Sequence, residues 1–180
     1  MIARIHQLMK SLFLVMILIF MLSSCSDGPP KTIEFPEGLE QIYVGEESKD
    51  LCLECEKKLV AYFSLESGRS ISYFQMTSKN WKSLKENYND LPVIFVFGGE
   101  DPNGKWDKSY LLRLLKSVDF PYPVLYDPKD EFYETNNLQN STEELKDIHV
   151  FFVENNMIHS KPEPGVPELF SKQVKGFLDN

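Results

Sequence analysis

The side chains with the most distinctive chemistry are two cysteines separated by two residues, in residues 52–55 (CLEC). Paired thiols at this spacing occur in thiol–disulfide redox sites and in half of many zinc sites. The plainer structural interpretation is a local disulfide or a pair of half-buried thiols. We do not expect a zinc site, because His149 and His159 do not stand at ligand spacing from Cys52 and Cys55.

A bond between these cysteines requires a turn in the chain. Fully extended, their Cα atoms would lie about 10 Å apart, whereas a disulfide needs less than about 7 Å. In one alignment, residues 41–45 (QIYVG) form the first core strand and Cys52 begins a helix. In the favoured alignment, residues 58–65 (KLVAYFSL) form that strand, because Val, Tyr and Phe are typical of strands. The cysteines then precede their strand.

Other candidate sites are weaker. His149 stands beside Phe151 and Phe152, which indicates a packing residue rather than a base. Residues 100–107 (EDPNGKWD) contain three acids but lack the twelve-residue pattern of an EF-hand, so we expect a solvated turn. No nucleophile–base pair and no phosphate-binding glycine loop is recognisable, and we therefore expect no cofactor and no metal.

The N-terminal segment combines a basic head with a short apolar run. Arg4, His6 and Lys10 precede residues 12–22 (LFLVMILIFML), which are unbroken in apolar character. A spanning helix needs about 20 residues, so the pattern favours a secretory signal peptide over an uncleaved anchor. Residues 22–25 (LSSC) resemble the lipobox of bacterial lipoproteins. That resemblance implies cleavage before Cys25 and attachment of fatty acyl chains, such as palmitate, to this cysteine.

These features predict a signal peptide over residues 1–24, a tether over 25–32 and one domain over 33–180. The expected location is the bacterial cell envelope, on the outer membrane, with the lipid on Cys25 as the membrane anchor. The formal charge of −8 becomes −10 once Arg4 and Lys10 are removed with the signal peptide. No basic patch remains, so nucleic acid is not an expected partner. An oxidising envelope permits a Cys52–Cys55 disulfide.

The elements that would position these residues alternate between strands and helices. Strand patterns cover residues 58–65, 91–97, 120–128 and 148–160, the last being two strands around Asn155-Asn156. Helical patterns cover residues 70–88, 106–118, 129–138 and 168–178. This order predicts a largely parallel sheet with helices on both faces. We predict that its core contains thirteen side chains: Val60, Tyr62, Val93, Phe95, Phe97, Leu111, Leu114, Leu115, Val124, Val150, Phe152, Phe170 and Val174.

The element order resembles the thioredoxin fold of the peroxiredoxin and membrane-anchored thiol–disulfide oxidoreductase branch. Residues 58–65 are similar to its first core strand, 80–84 (NWKSL) to the following helix and 92–97 (PVIFVF) to the second strand. Residues 122–138 resemble the inserted strand–helix element, and 148–158 the closing hairpin that precedes the C-terminal helix. The resemblance implies an α/β fold with a central mixed sheet.

The sequence departs from that family at the redox site. The family places a Cys-x-x-Cys after the first strand, where the helix N-terminus acidifies the leading thiol. The matching residues 66–76 (ESGRSISYFQM) offer Ser67, Ser70 and Ser72 instead. The family's cis-proline before the closing hairpin is also absent, since Asp147 and Ile148 stand there. Both departures predict that the family's redox chemistry has been lost.

We therefore expect a redox-degenerate thioredoxin-like domain that serves as a binding or accessory module for an envelope protein. The alternative is a thiol–disulfide oxidoreductase that uses Cys52 and Cys55 as its redox pair. In the favoured alignment neither thiol lies at a helix N-terminus, so we expect both to titrate as ordinary cysteines.

Overall fold

The computed structural model describes residues 31–44, 51–101, 103–140 and 147–179. The predicted signal peptide, the lipid-bearing Cys25 and nearly all of the predicted tether lie outside these residues. No helix within the described ranges is long and apolar enough to cross a membrane.

The described chain forms six strands and four α-helices. The order predicted from the sequence is confirmed from the second strand onward, and the first strand was not part of it. In chain order the elements are β1 (Glu40–Ile42), β2 (Lys57–Ser64), α1 (Gly68–Asn87), β3 (Val93–Gly98), α2 (Lys108–Ser117), β4 (Val124–Asp127), α3 (Glu131–Thr135), β5 (Ile148–Glu154), β6 (Met157–Ser160) and α4 (Pro167–Asp179). A 3₁₀ turn at Leu138–Asn140 follows α3.

The strands form one mixed sheet in the order β1-β4-β3-β2-β5-β6. The central strands β2, β3 and β4 are parallel, whereas β1, β5 and β6 pair antiparallel at the two sides. Asn155 and Asn156 join β5 to β6 with φ angles of +51° and +63°. This left-handed backbone, which asparagine tolerates, confirms the predicted tight hairpin.

Side chains of β2 alternate between the two faces of the sheet. Leu59, Ala61 and Phe63 belong to the larger apolar cluster, which also contains buried residues of α1, α2 and α4. Val60 and Tyr62 belong to a smaller cluster on the opposite face with Phe132 of α3. All thirteen predicted core residues are buried. Val60 and Tyr62 pack on the opposite face from Leu59, Ala61 and Phe63, so the sheet has a core on each face.

The alternative alignment, with a helix beginning at Cys52, is not what the structure shows. β1 is a three-residue edge strand that pairs antiparallel with β4. Residues 51–56 form a turn, and the chain enters β2 directly after it. The first central strand is therefore the one that the favoured alignment predicts, and both cysteines precede it.

Candidate functional site

Cys52 and Cys55 are joined by a disulfide in the turn before β2. Their Cα atoms lie 5.4 Å apart, so the segment turns as bond closure requires. The Cys52 residue is exposed and Cys55 is half-buried. An exposed disulfide can be reached by thiols in solution, which makes it more labile than a buried one.

Lys58, the second residue of β2, extends its side chain back into this turn. Its Nζ donates to the carbonyl oxygens of Leu53 at 2.7 Å and Cys55 at 3.0 Å. A third bond, of 2.5 Å, goes to Oδ1 of Asn156 in the β5–β6 turn. Lys58 is fully buried. Burial lowers its pKa, and the negative charge of Glu54 partly opposes this shift.

A cleft of about 160 Å³ adjoins the disulfide. Cys52 and Leu51 form one wall, and Ile94, Tyr122 and Pro123 contribute apolar surface from the starts of β3 and β4. The cleft lies at the edge of the sheet where the parallel strands begin. Cys52 lines this cleft, whereas Cys55 does not.

The opposite edge of the sheet holds the position that the family resemblance assigns to the redox thiols. Ser67 is the N-cap of α1 and accepts a hydrogen bond from the Ser70 backbone N–H at 3.3 Å. Its hydroxyl donates to Oδ2 of Asp147, the residue that precedes β5. The Arg69 guanidinium donates to Oδ1 of Asp147 at 2.9 Å. Serine, arginine and aspartate thus occupy this site.

The Asp147 carboxylate supplies the negative charge at the start of α1. Burial alone would raise the pKa of Asp147, but hydrogen bonds from Ser67 and Arg69 outweigh it and hold the pKa below its ordinary value. An ionised carboxylate is favoured at a helix N-terminus by the helix dipole. The position where a thiolate would be stabilised is therefore filled by a carboxylate of the protein itself.

Trp106 covers the first residue of α1 from the loop between β3 and α2. A Cβ added at Gly68 would lie 2.7 Å from ring atom Cη2 of Trp106, so only glycine fits beneath the indole in this arrangement. Lys105 places its ammonium 4.6 Å from the Trp106 ring centre. Trp106, which belongs to the turn predicted from the sequence, thus packs against the helix start.

A pair formed by the buried Tyr62 and the half-buried carboxylate of Asp130 lies at the same edge of the sheet. The Tyr62 hydroxyl donates to Oδ1 of Asp130 at 2.7 Å. Burial raises the pKa of Asp130 to about 6, and nearby negative charges, Asp127 first among them, add to the shift although the Tyr62 bond opposes it. A Cβ on Gly98 would lie 2.2 Å from Oδ1 of Asp130. The pair is therefore packed tightly against β3.

The structure does not bring the two cysteines together with the residues of the helix start. β2 is eight residues long, which separates its ends by about 23 Å at 3.3 Å per residue. His149 is buried and packs against the rings of Tyr62 and Phe151, as expected of a packing residue. Within the described ranges no group of three or more possible metal ligands is found.

Sequence reasoning identified Ser67 and Asp147 as positions where family features are missing, but not as partners. The pairing partner Arg69 and the buried Lys58 were missed altogether. A lysine at the start of a strand ordinarily indicates a solvated end. The signal that could have identified Lys58 is the turn at residues 51–56, which directly precedes it in the chain. Backbone carbonyl groups in such a turn need hydrogen-bond donors.

No family model matches the sequence, and no curated protein matches it. Among solved structures, a thioredoxin-like protein in its oxidized form aligns with 84% of this chain and 96% of its own, at 13% identity and a TM-score of 0.56. A candidate thiol:disulfide interchange protein DsbE from Chlorobium tepidum aligns with 84% of this chain and 99% of its own, at 13% identity and a TM-score of 0.53.

An uncharacterized conserved protein from Geobacillus kaustophilus aligns with 86% of this chain and 82% of its own, at 15% identity and a TM-score of 0.51. At these identities the similarity extends to the fold alone. The chain has a thioredoxin-like α/β fold.

Proposed function

We propose that this chain is a lipoprotein of the bacterial envelope whose thioredoxin-like domain is a binding or accessory module without redox chemistry at the fold's usual site. The observation that carries the proposal is the Asp147 carboxylate at the start of α1, held by Ser67 and Arg69. These contacts occupy the helix N-terminus that a reactive thiolate would need.

The surface offered for binding is the edge around Ser67, Arg69, Asp147 and Trp106. Arg69 is exposed and Trp106 is half-buried, and both residue types are enriched at protein interfaces. The expected partner is a protein of the envelope. We do not expect nucleic acid as a partner, because the domain carries a net negative charge.

A site-specific photocrosslinker in the lipidated chain tests this surface. Placed at Ser72, an exposed residue of α1 close to Arg69, it should yield one discrete crosslinked product in intact cells. The matched control is the same crosslinker at Glu56, an exposed residue at the opposite edge. The product should be lost when Asp147→Ala is combined with the crosslinker at position 72. Equal products from both positions would contradict the proposal.

The lipid anchor is proposed at Cys25 because residues 22–25 (LSSC) directly follow the apolar run. Cys25→Ser should leave an uncleaved or soluble precursor, detected by mass and by partitioning between membrane and soluble fractions. Ser24→Ala is the control, since it keeps a small residue before the cysteine. Unchanged mass and partitioning of Cys25→Ser would contradict lipidation at this residue.

A second candidate function is thiol–disulfide exchange at Cys52–Cys55. The observation that favours it is the closed bond with an exposed Cys52 beside the cleft. In this reaction an incoming thiolate would attack one sulfur, the other would leave as a thiolate, and a second substrate thiol would release the oxidised substrate. Each turnover would transfer two electrons and two protons from the substrate dithiol to the pair.

Reduction of insulin disulfides by dithiothreitol distinguishes the two functions. The Cys25→Ser chain should accelerate the reaction no more than its Cys52→Ser derivative if the domain is only a binding module. Turnover that disappears in Cys52→Ser would establish the exchange function. Ser67→Ala serves as the control at the other edge, where neither candidate function places a redox group.

A further inference from the structure

The Lys58 side chain is one of the largest fully buried side chains of the domain. An ammonium group carries three N–H donors and no acceptor. Three oxygen atoms lie within hydrogen-bond distance of Nζ, on Leu53, Cys55 and Asn156. Every donor can therefore be used, which is the condition under which a buried charge is tolerated.

The three acceptors belong to two separate segments. Leu53 and Cys55 lie in the turn that contains the disulfide, whereas Asn156 lies in the β5–β6 turn, 98 residues from Lys58 along the chain. The two segments are also joined by the Asn155 backbone N–H, which donates to the Glu56 carbonyl at 2.8 Å. Lys58 thus lies between the cysteine turn and the hairpin that closes the sheet.

We propose that Lys58 is the residue that positions the Cys52–Cys55 turn for closure of the disulfide. Its ammonium holds the carbonyl groups of Leu53 and Cys55, one inside the four-residue segment and one at its end. The backbone is thereby curved so that the Cα atoms of the cysteines lie 5.4 Å apart. Preorganising two reacting groups in this way raises their effective concentration.

The inference goes beyond both functions proposed above, because it holds for a structural disulfide and for one that exchanges. By thermodynamic linkage, the free energy by which Lys58 favours closing the disulfide in the folded protein equals the free energy by which the closed disulfide stabilises the fold through Lys58. A lysine that only neutralised charge in the core would have no such effect on the disulfide equilibrium.

The equilibrium between the dithiol and the disulfide is measurable with glutathione in the full chain carrying Cys25→Ser, kept in detergent. Glutathione disulfide takes two electrons and two protons from the cysteine pair, and two glutathione molecules form. We expect Lys58→Met to lower the equilibrium constant for disulfide formation about tenfold or more. Lys57→Met is the matched control, since Lys57 bonds to Glu154 and the Phe177 carbonyl instead, and its constant should stay within twofold.

A second pair of variants keeps the lysine. Asn156→Gly removes one acceptor at a position where φ is +63°, a backbone angle that glycine adopts without strain. It should lower the constant two- to fivefold. Asn155→Gly makes the same change at the neighbouring φ of +51°, without touching the Lys58 ammonium, and should change nothing.

The same variants give a thermodynamic check. A tenfold fall in the equilibrium constant corresponds to about 1.4 kcal/mol, so the gap in unfolding free energy between oxidised and reduced protein should shrink by that amount in Lys58→Met. An unchanged constant in folded Lys58→Met would overturn the proposal. If Lys58→Met does not fold, equal constants for Asn156→Gly and Asn155→Gly would overturn it.

Discussion

The two ends of strand β2 differ in what they offer to redox chemistry. The C-terminal end leads into α1, whose N-terminus is the feature that acidifies a thiol, but it holds Ser67, Arg69 and Asp147. The N-terminal end holds the Cys52–Cys55 disulfide, but residues 51–56 form a turn and no helix begins there. The cysteine sulfurs and the helix N-terminus are present in one domain, at opposite ends of a strand that is about 23 Å long.

This separation shows that a Cys-x-x-Cys pair does not by itself make a thioredoxin site. The chemistry needs the sulfur and the positive end of the helix at one place. At the α1 end, the Asp147 carboxylate lies at the helix N-terminus. At the disulfide end, Lys58 donates to carbonyl groups of the turn that contains the cysteines. Four predictions test whether the α1 end of β2 is tightly packed and whether the disulfide is only a local constraint.

The largest effect is expected at the close packing beside Tyr62 and Asp130. Gly98→Ala would place a methyl group 2.2 Å from Oδ1 of Asp130 and 2.5 Å from the Tyr62 ring. Such overpacking should lower the free energy of unfolding by about 3 kcal/mol, measured by urea denaturation. Gly176→Ala is the control, because its methyl group meets nothing within 4 Å and alanine favours a helix. A loss of unfolding free energy under about 1 kcal/mol in Gly98→Ala would show that the packing around Gly98 has room for a methyl group.

The next effect concerns the carboxylate at the helix start. Asp147→Ala leaves the Ser67 hydroxyl and the Arg69 guanidinium without their acceptor, and should lower the unfolding free energy by about 1–3 kcal/mol. Because Arg69 is exposed and an exposed ion pair contributes little, we expect the loss to lie near the lower value. Asp147→Asn keeps an acceptor for Ser67 and should lose less. Equal stability of Asp147→Ala and the unmodified chain would mean that the contacts are incidental.

Loss of the disulfide should have an effect of about 2 kcal/mol or less. The bond closes a loop of four residues, and so short a loop constrains little of the unfolded chain. Cys52→Ser and Cys55→Ser should give equal losses in denaturant titrations under oxidising conditions. Under reducing conditions the unmodified chain should match them. A loss far above this value would make the disulfide a main support of the fold.

The smallest effect is a pH dependence at Asp130. Burial raises the pKa of Asp130 in the folded protein to about 6 from an ordinary 3.8, so folding favours its protonated form. Its stabilising contribution is complete below about pH 4 and is lost as the pH rises through 6. A shift of this size corresponds to at most about 3 kcal/mol, and solvent at the half-buried carboxylate screens part of it. Asp130→Asn, which still accepts from Tyr62, should therefore gain about 1 kcal/mol relative to the unmodified chain between pH 4 and pH 7. If Asp130→Asn were less stable than the unmodified chain over this pH range, the raised pKa of Asp130 would be contradicted.

Much of the fold could be predicted from local patterns. The continuous apolar run of residues 92–97 predicts a strand buried on both faces, and β3 is buried along its length. Asn155-Asn156 predicts the hairpin, because few residues accept its backbone angles. The edge strand β1 was less predictable, since only three residues pair, and the pairing depends on β4 more than 80 residues away.

The site was less accessible to sequence reasoning. Ser67 and Asp147 are 80 residues apart, and no local pattern shows that the residue before β5 contacts the start of α1. Lys58 looks like a solvated strand end until the turns around it are placed. The sequence nevertheless located both cysteines before β2, because the composition of residues 58–65 favours a strand.

The most direct test of the separation is the rate of thiol alkylation against pH in the reduced Cys25→Ser chain. Without a helix N-terminus, Cys52 and Cys55 should react as ordinary thiols, which are only a few per cent thiolate at pH 7. The rate at pH 7 should then be a few per cent of its plateau, and should rise about tenfold per pH unit at first. A rate at pH 7 of half the plateau or more, lost in Cys52→Ser, would show an acidified redox thiol and contradict the account.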